Sequence, residues 1–448
     1  MTAEPAPAAS TTSGTSVAAT RVKSSASTRS QLGYPSGHLG HLSEHEAEAL
    51  AKFKDVLEQR GVWKRDAASH DDQTLLRYLR ARRWAVDDAY RQFKATEDWR
   101  RANNIDTLYR TIDLEAYEQS RRLYPQWTGR RDRRGIPLYV FEIKKLDSKT
   151  VAEYERLGAQ STFSDARTDG STAPGLLRLF ALYENLTRFS QPFCTQLADR
   201  EHPDVPVTMS TNIVDVSGVG LRQFWNLKGH MQAASQLATA HYPETLDRIF
   251  IVGAPVFFGT VWGWIKRWFD PMTVSKIFVL GPHEVAPTLE AFVDPRNIPR
   301  KYGGQLDFSF GQLPVPDPHW DGVVAWEDGR SAFPSGPLLW QDVDDGRSMA
   351  CVALGKDKGV PRNVRVCTVP KTWWPPADED GDKADPATEG TQTNGQLSEG
   401  TQTTAGATAD DAAQTDEADG ITDGEIVEKL RLAGDENGAV PVAPTAAA

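Results

Sequence analysis

Apolar residues recur at helical spacing from position 43 onward. Ser43 with Glu46 three residues later makes a capping box, and Leu50, Phe53, Val56 and Leu57 then share one face. A second helical run opens at Asp72 and continues through LLRYLRARRW, and a third, DDAYRQFKATEDWRR, carries Ala89, Phe93 and Trp99 as its apolar points. From Gly135 the period shortens, and Pro137–Ile143, Val207–Val216, Arg248–Val252 and Lys276–Leu280 read as strands. Between them lie long helical stretches at Leu176–Ser190 and Leu221–His241. Strands alternating with helices of this length predict an α/β domain with a mainly parallel sheet, ending near Leu306. Further on, Met349–Leu354 and Asn363–Val369 flank GKDKGVP and predict a β-hairpin, in a segment expected to pack against the main domain.

Composition divides the 448 residues further. Residues 1–40 are rich in Ala, Ser, Thr and Pro, and residues 376–448 in Asp, Glu, Thr, Ala and Gly. Neither end has enough apolar surface to offset ordering entropy, so both are expected to be disordered, with at most a transient helix at Asp423–Leu432. The expected order is a disordered 1–40, a helical subdomain over 43–110, an α/β domain over 111–310, a Trp-rich extension over 311–375 and an acidic tail. From Ala377 onward there are seventeen acidic residues against three basic, so the overall charge of −11 belongs to the tail. The folded body is close to neutral and shows no basic stripe, which argues against a nucleic-acid partner.

Three widely spaced cysteines, Cys194, Cys351 and Cys367, form no CxxC pair, so neither a disulfide framework nor a zinc site is expected. The amino terminus has no apolar core of a secretory signal. The longest uncharged run, Ile249–Ile265, falls short of the ~20 residues of a span and is divided by Pro255, so it reads as a buried strand followed by a helix. GxGxxG after a strand, GxxxxGK[ST], GxSxG and HExxH are missing, and no catalytic Cys with a CxxxxxR phosphate loop is expected, although Cys194 and Arg200 have that spacing. This argues against the usual nucleotide, hydrolase, metallopeptidase and phosphatase chemistries. His230 and Asp215 could serve as a base pair, but no nucleophile motif accompanies them.

The richest stretch runs from Tyr242 to Gly281. In a helix over Phe257–Phe269, the side chains of Phe257, Phe258, Val261, Trp262, Trp264, Ile265, Trp268 and Phe269 fall on one broad arc, with Gly259, Thr260, Gly263, Lys266 and Arg267 opposite. Two readings fit: a helix buried on the sheet, or a lid over a lipid cavity whose aromatic rim touches a membrane. Asp270 and Pro271 then suit the start of a helical turn in DPMTVSK. There Thr273 and Lys276, three apart, would offer a hydroxyl and an ammonium to a phosphate; alternatively, Lys276 begins a strand and its amine reaches solvent.

LLRYLRARRW, YP, GIPLYVFEI, IVDVSGV, YPETLDRIFIVGAPVFF, FDPMTVSKIFVLG and PRKYGG follow one another across residues 74–304. In this order they resemble the CRAL-TRIO lipid-binding family, and within it the secretory-pathway phosphatidylinositol/phosphatidylcholine transfer proteins of fungal type. The resemblance implies a helical N-terminal tripod beside a CRAL-TRIO α/β domain that encloses one phospholipid behind a mobile gate, matched here by Phe257–Phe269. It places an inositol phosphate headgroup on Arg82, Glu244, Thr273 and Lys276. It matches Tyr139, Tyr183 and Ser210 to a choline pocket, where tyrosines could face a quaternary ammonium. Asn212 and Ala238 depart from that pattern, as does Thr128, so the second ligand is left open between phosphatidylcholine and another lipid. The implied protein is a monomeric, non-enzymatic phosphatidylinositol carrier without metal or cofactor, cytoplasmic and peripheral on Golgi or endosomal membranes. Its rivals are a sensor that presents phosphatidylinositol to a phosphoinositide kinase, and a carrier of another hydrophobic small molecule.

Overall fold

The computed structural model describes residues 33–65, 69–160, 163–268 and 274–374. Helix α1 (Glu44–Gln59) starts at the capping box: the Ser43 hydroxyl accepts from Glu46 N–H at 3.4 Å, and the Glu46 carboxylate accepts from Ser43 N–H at 2.9 Å. Helix α2 (Asp72–Ala81) is capped by Asp71, and α3 (Val86–Ala102) follows after a left-handed turn at Arg83 and Trp84. Their apolar faces close on Phe53, Leu57, Leu75, Leu76, Leu79, Ala89 and Phe93, all fully buried. At about 1.5–3 kcal/mol for each large side chain, this cluster holds the three helices together. Helices α4 (Ile105–Thr111) and α5 (Leu114–Leu123) continue the chain, the latter capped by Asp113.

A five-stranded sheet comes next, in the order β1 (Gln126–Arg131), β2 (Pro137–Glu142), β3 (Ser210–Asp215), β4 (Leu246–Val252) and β5 (Ile277–Val279). The β1–β2 pair is antiparallel and the other pairings are parallel. Parallel neighbours need long crossovers. Helices α6 (Ser148–Gln160), α7 (Pro174–Asn185) and α8 (Gln191–Thr195) connect β2 to β3, and a π-helical turn, Leu186–Ser190, joins α7 to α8. Helix α9 (Leu221–His241) connects β3 to β4, and α10 (Phe258–Ile265) lies between β4 and β5. Alternate side chains face opposite ways. Leu138, Val140, Ile213, Phe250 and Val252 meet α11 (Val285–Phe292) and the segment Ile298–Phe308. Phe141 and Val214 face Tyr124, Tyr154, Leu179 and Leu227 on the other side. The Arg300–Tyr302 turn ends at Gly303, whose φ of 94° favours glycine.

The Trp-rich segment forms a second sheet of four antiparallel strands: β6 (Ala325–Trp326), β7 (Leu338–Val343), β8 (Ser348–Ala353) and β11 (Val364–Pro370), in the order β6-β11-β8-β7. Short strands β9 (Lys356–Asp357) and β10 (Val360–Pro361) cap the β8–β11 connection. Aromatic rings dock this sheet on α8: Phe193 stacks on Trp320 at 4.3 Å and on Trp340 at 5.2 Å. Trp340 Nε1 also donates to the Phe189 carbonyl at 3.0 Å.

Several expectations need adjustment. The strand read as Val207–Val216 begins only at Ser210, and the Val207 N–H donates instead to Thr195 Oγ1 at 2.9 Å. The helix read as Phe257–Phe269 is α-helical to Ile265 and then tightens into a 3₁₀ turn, Lys266–Trp268; Phe269, Asp270, Pro271 and Thr273 lie outside the described residues. So do most of residues 1–40, and the acidic tail with Asp423–Leu432. Cys351 and Cys367, 16 positions apart in sequence, sit opposite each other in the β8–β11 register, buried as free thiols. No described helix is long and apolar enough to cross a membrane.

Candidate functional site

The turn Tyr242–Thr245 carries the chain from α9 into β4. Three bonds hold it: Tyr242 O–H donates to Glu184 Oε1 at 2.5 Å, Arg77 Nε to the Pro243 carbonyl at 2.9 Å, and Thr245 Oγ1 to the Tyr242 carbonyl at 2.9 Å. Between them Glu244 is forced to φ 55°, the left-handed region. Such a conformation costs of order 1–3 kcal/mol and persists only where its surroundings impose it. Lys276, one residue before β5, donates from Nζ to Glu244 Oε2 at 3.3 Å and to the Leu246 carbonyl at 3.1 Å. Its side chain is 14% exposed, so the amine turns inward to this corner rather than out to solvent.

Of the four headgroup residues expected from the resemblance, Glu244 and Lys276 are thus in contact, and Thr273 lies outside the described residues. Arg82 sits at the exposed C-terminal cap of α2 and donates from Nε to Gln92 Oε1 at 2.8 Å. Gln92 in turn donates to the carbonyls of Thr239 and Ala240, which tethers Arg82 to the end of α9 just before the Glu244 turn. The arginines on the inner side are Arg77 and Arg80, three apart and therefore on one face of α2. Arg80 donates to the Gly37 carbonyl at 3.0 Å, while its Nε and Nη2 are buried without a partner. Burial lowers its pKa to about 10, and Glu244 acts against that shift. The i,i+3 spacing in LLRYLRAR was the available signal for this pair.

Two buried ionic clusters brace the corner. Asp132, Arg134, Asp247 and Arg248 form one: Arg134 bonds both Asp132, at 3.0 Å, and Asp247, and Arg248 lies 3.4 Å from Asp247. Burial alone would raise the pKa of Asp247, but Arg134 and Arg248 pull it below the usual carboxylate range. Glu184 centres the other, with Arg100 at 2.7 Å and Arg188 at 2.7 Å beside the Tyr242 hydroxyl. Here too burial works to raise the pKa, and the two guanidiniums overcome it and hold the group down to about 2. The sequence signal for the first cluster is weak: charged residues at the start of otherwise apolar strands, in RDRRGIP and LDRIF.

Helix α10 presents Phe258 and Val261 inward, both buried, while Gly259, Thr260, Lys266 and Arg267 are exposed. Phe257, Trp262 and Trp264 are half-buried, and nothing is described for the side chains of Ile265 and Trp268. Val256, just before the helix, is fully exposed. On α9 only Leu221 and Leu227 are buried; Phe224, Trp225, Met231, Ala234, Leu237 and Ala238 are half-exposed. In the sheet, the paired Ile249 and Ile277 are half-exposed too. Apolar side chains on α9, α10 and the β4–β5 edge are therefore incompletely covered at a place where a packed core would bury them.

The choline-pocket matches are internally engaged. Tyr139 O–H pairs with Ser190 Oγ at 2.8 Å, Ser210 Oγ donates to the Thr245 carbonyl at 3.1 Å, and Tyr183 stacks on Phe180 at 5.3 Å. His230 and Asp215 are held apart, the first by Tyr124 and Glu155, the second by Tyr302 and Lys301. Cavities of about 440 and 410 Å³ lie elsewhere, lined by neither the Glu244–Lys276 corner nor α10.

Residues 39–95 match the CRAL/TRIO, N-terminal domain, and residues 121–304 match the CRAL/TRIO domain. The SEC14 cytosolic factor of Eremothecium gossypii is 32% identical over 267 residues, spanning 60% of this chain and 78% of that protein. The SEC14 cytosolic factor of Yarrowia lipolytica is 30% identical over 288 residues, 64% of this chain and 54% of that protein. Phosphatidylinositol/phosphatidylcholine transfer protein SFH7 of Arabidopsis thaliana is 29% identical over 237 residues, 52% of this chain and 40% of that protein. A crystal structure of Sfh5 overlaps 61% of this chain and 92% of its own at 15% identity, with a TM-score of 0.43, too low to bear on the fold. With both domains matched in order and most of a relative's length aligned at 32% identity, the chain belongs to the CRAL/TRIO family, as a relative of the fungal SEC14 cytosolic factors.

Proposed function

We propose that the protein binds one phospholipid with an inositol phosphate headgroup and exchanges it between membranes, with α10 as the gate. The observation that carries this reading is the incompletely covered apolar layer between α9, α10 and the β4–β5 edge, beside the Glu244–Lys276 corner. The names of relatives agree: SFH7 and SFH9 of Arabidopsis thaliana are both phosphatidylinositol/phosphatidylcholine transfer proteins. At the corner, the Lys276 ammonium serves the phosphate and the Glu244 carboxylate accepts from ring hydroxyls. Arg82 and the Thr273 hydroxyl add a second cation and a donor. Lys276 is paired with Glu244, and Arg77 and Arg80 act on the same carboxylate, so the corner keeps a net positive charge for the headgroup.

Acyl chains in the layer gain roughly 0.8 kcal/mol per buried CH₂. A bilayer offers the same, so exchange is close to neutral and the headgroup decides which lipid is kept. Exposed Val256 and the half-buried Trp262 and Trp264 suit transient contact with a membrane. On this reading the protein is a carrier rather than a catalyst, a peripheral visitor to secretory-pathway membranes, and phosphatidylcholine or another lipid shares the layer as second ligand. Vesicle-to-vesicle transfer of labelled phosphatidylinositol by Lys276→Ala tests it. Loss of one charge-assisted hydrogen bond to the lipid, about 1.5–3 kcal/mol, should slow transfer tenfold to about a hundredfold, measured well below the unfolding temperature of the variant, which also loses the Lys276–Glu244 pair. Transfer at the parental rate would remove the headgroup assignment.

A further inference from the structure

A cavity of about 440 Å³ opens where the β1–β2 turn meets the loops around Asp294 and Asp317. It is lined by Arg130, Arg131, Arg133 and Arg296, together with Asp132, Asp199, Asp294, Asp317 and His319. The charges look balanced until the pairs are assigned. Arg131 bonds Asp199 through both Nη atoms, each at 2.7 Å, and reaches Asp317 from Nε at 3.0 Å. Arg296 is fork-bonded to Asp294 at 3.1 and 3.0 Å, and Asp132 is taken by Arg134. His319 leans on Asp199 at 3.4 Å.

Two cations are left over. Arg133 hydrogen-bonds the Glu290 carbonyl, from Nε at 3.2 Å and Nη2 at 3.0 Å, and acts on Asp294 only from beyond ion-pair distance. Arg130 is 9% exposed, its Nε is buried without a partner, and its guanidinium makes no ion pair within 4 Å. It lines the cavity beside Asp317 and Arg296, whose charges act on it together with that of Asp321. A buried, unpaired guanidinium destabilises the empty fold, and a fork of donors fits a planar or tetrahedral oxyanion.

We propose that this cavity is an anion site that takes a phosphate group on Arg130 and Arg133, separate from the Glu244–Lys276 corner. The aspartates do not exclude the anion: Asp132 and Asp294 pair with Arg134 and Arg296, Asp199 and Asp317 share Arg131, and Arg130 and Arg133 together outweigh that one surplus carboxylate. The phosphate could arrive on a soluble inositol phosphate or on the phosphorylated headgroup of a membrane lipid. Both share the chemistry, and the experiment separates them.

The test uses the full chain and three probes: inorganic phosphate, inositol 1,4-bisphosphate, and phosphatidylcholine vesicles with or without phosphatidylinositol 4-phosphate. Thermal unfolding and calorimetric titration should show binding of the soluble probes, or flotation should show binding to the doped vesicles alone. Arg133→Gln, at an exposed position, should weaken whichever binding is seen by about tenfold without changing the fold. Arg130→Met should abolish it, and should unfold at a higher temperature than the parent when no anion is present, because an unpaired buried charge has been removed. Soluble-probe binding identifies a free anion as the ligand, and vesicle-only binding a lipid headgroup. Equal binding by parent and both variants overturns the proposal, as does no binding in any arm, or an Arg130→Met protein that is less stable than the parent. Phosphatidylinositol transfer by Lys276→Ala reports on the other site, so the two readings fail separately.

Discussion

Replacing Glu184 with Gln tests whether buried charge holds the Glu244 turn. The Glu184 side chain is 2% exposed and meets Arg100, Arg188 and the Tyr242 hydroxyl. Glutamine keeps the shape but leaves the Arg100 and Arg188 guanidiniums with only the exposed carboxylate of Asp106 as counter-charge. Breaking a buried ion pair from one side costs about 3–5 kcal/mol. The pKa of about 2 leads to a similar magnitude. Against an unfolded value near 4.5, a fall of ~2.5 units corresponds to about 3 kcal/mol. Because the folded value is the lower one, this stability is fully present above pH 4.5 and is lost as pH falls towards 2. About 1 kcal/mol of it should be gone by pH 3.5. Urea unfolding followed by tryptophan fluorescence at pH 7 and pH 3.5 measures it. The parent should exceed Glu184→Gln by about 3 kcal/mol at the higher pH, and the gap should narrow at the lower. A gap under ~1 kcal/mol, or one that does not change with pH, refutes the reasoning. Since Tyr242 begins the turn that strains Glu244, the variant should also weaken headgroup retention.

Two further substitutions probe other links. Val256→Asp removes a fully exposed apolar side chain beside α10, so the fold should be untouched. Binding to phospholipid vesicles should fall about tenfold, read by co-sedimentation, since burying one valine contributes about 1.5 kcal/mol or more; unchanged binding would move the membrane contact elsewhere. Gly129→Ala should destabilise by about 3 kcal/mol, because a Cβ there would lie 2.2 Å from the Val315 carbonyl oxygen and φ is 88°. Gly170→Ala, with φ 76° but open space around it, is the control and should cost about 1 kcal/mol in the same urea titration.

Local periodicity was enough for α1–α3, for the interior strands β2–β4 and for α9, because each has an apolar face that repeats at its own period. It was not enough for β1. Gln126, Thr128, Arg130 and Arg131 show no apolar strand period, and they form a strand because β2 pairs with them and the Val315 N–H donates to the Thr128 carbonyl. The second sheet was legible only in its β8–β11 pair: β6 finds its partner β11 across long intervening chain, and the tight β7–β8 hairpin went unread because its polar and charged residues mask the strand period.

At the candidate site the chain by itself determined which residue types recur in family order: Arg82, Glu244 and Lys276 could be named from motifs alone. Tertiary structure alone decided where they sit and what they touch. It turned Lys276 inward to Glu244, tied Arg82 to Gln92, and put Arg77 and Arg80 on the inner face of α2. The physical reason is range. Helix and strand faces are set by neighbours a few positions apart, whereas a buried charge is tolerable only where a distant partner meets it. Arg100 with Glu184 and Arg134 with Asp247 are joined across 84 and 113 positions, and no local pattern encodes that.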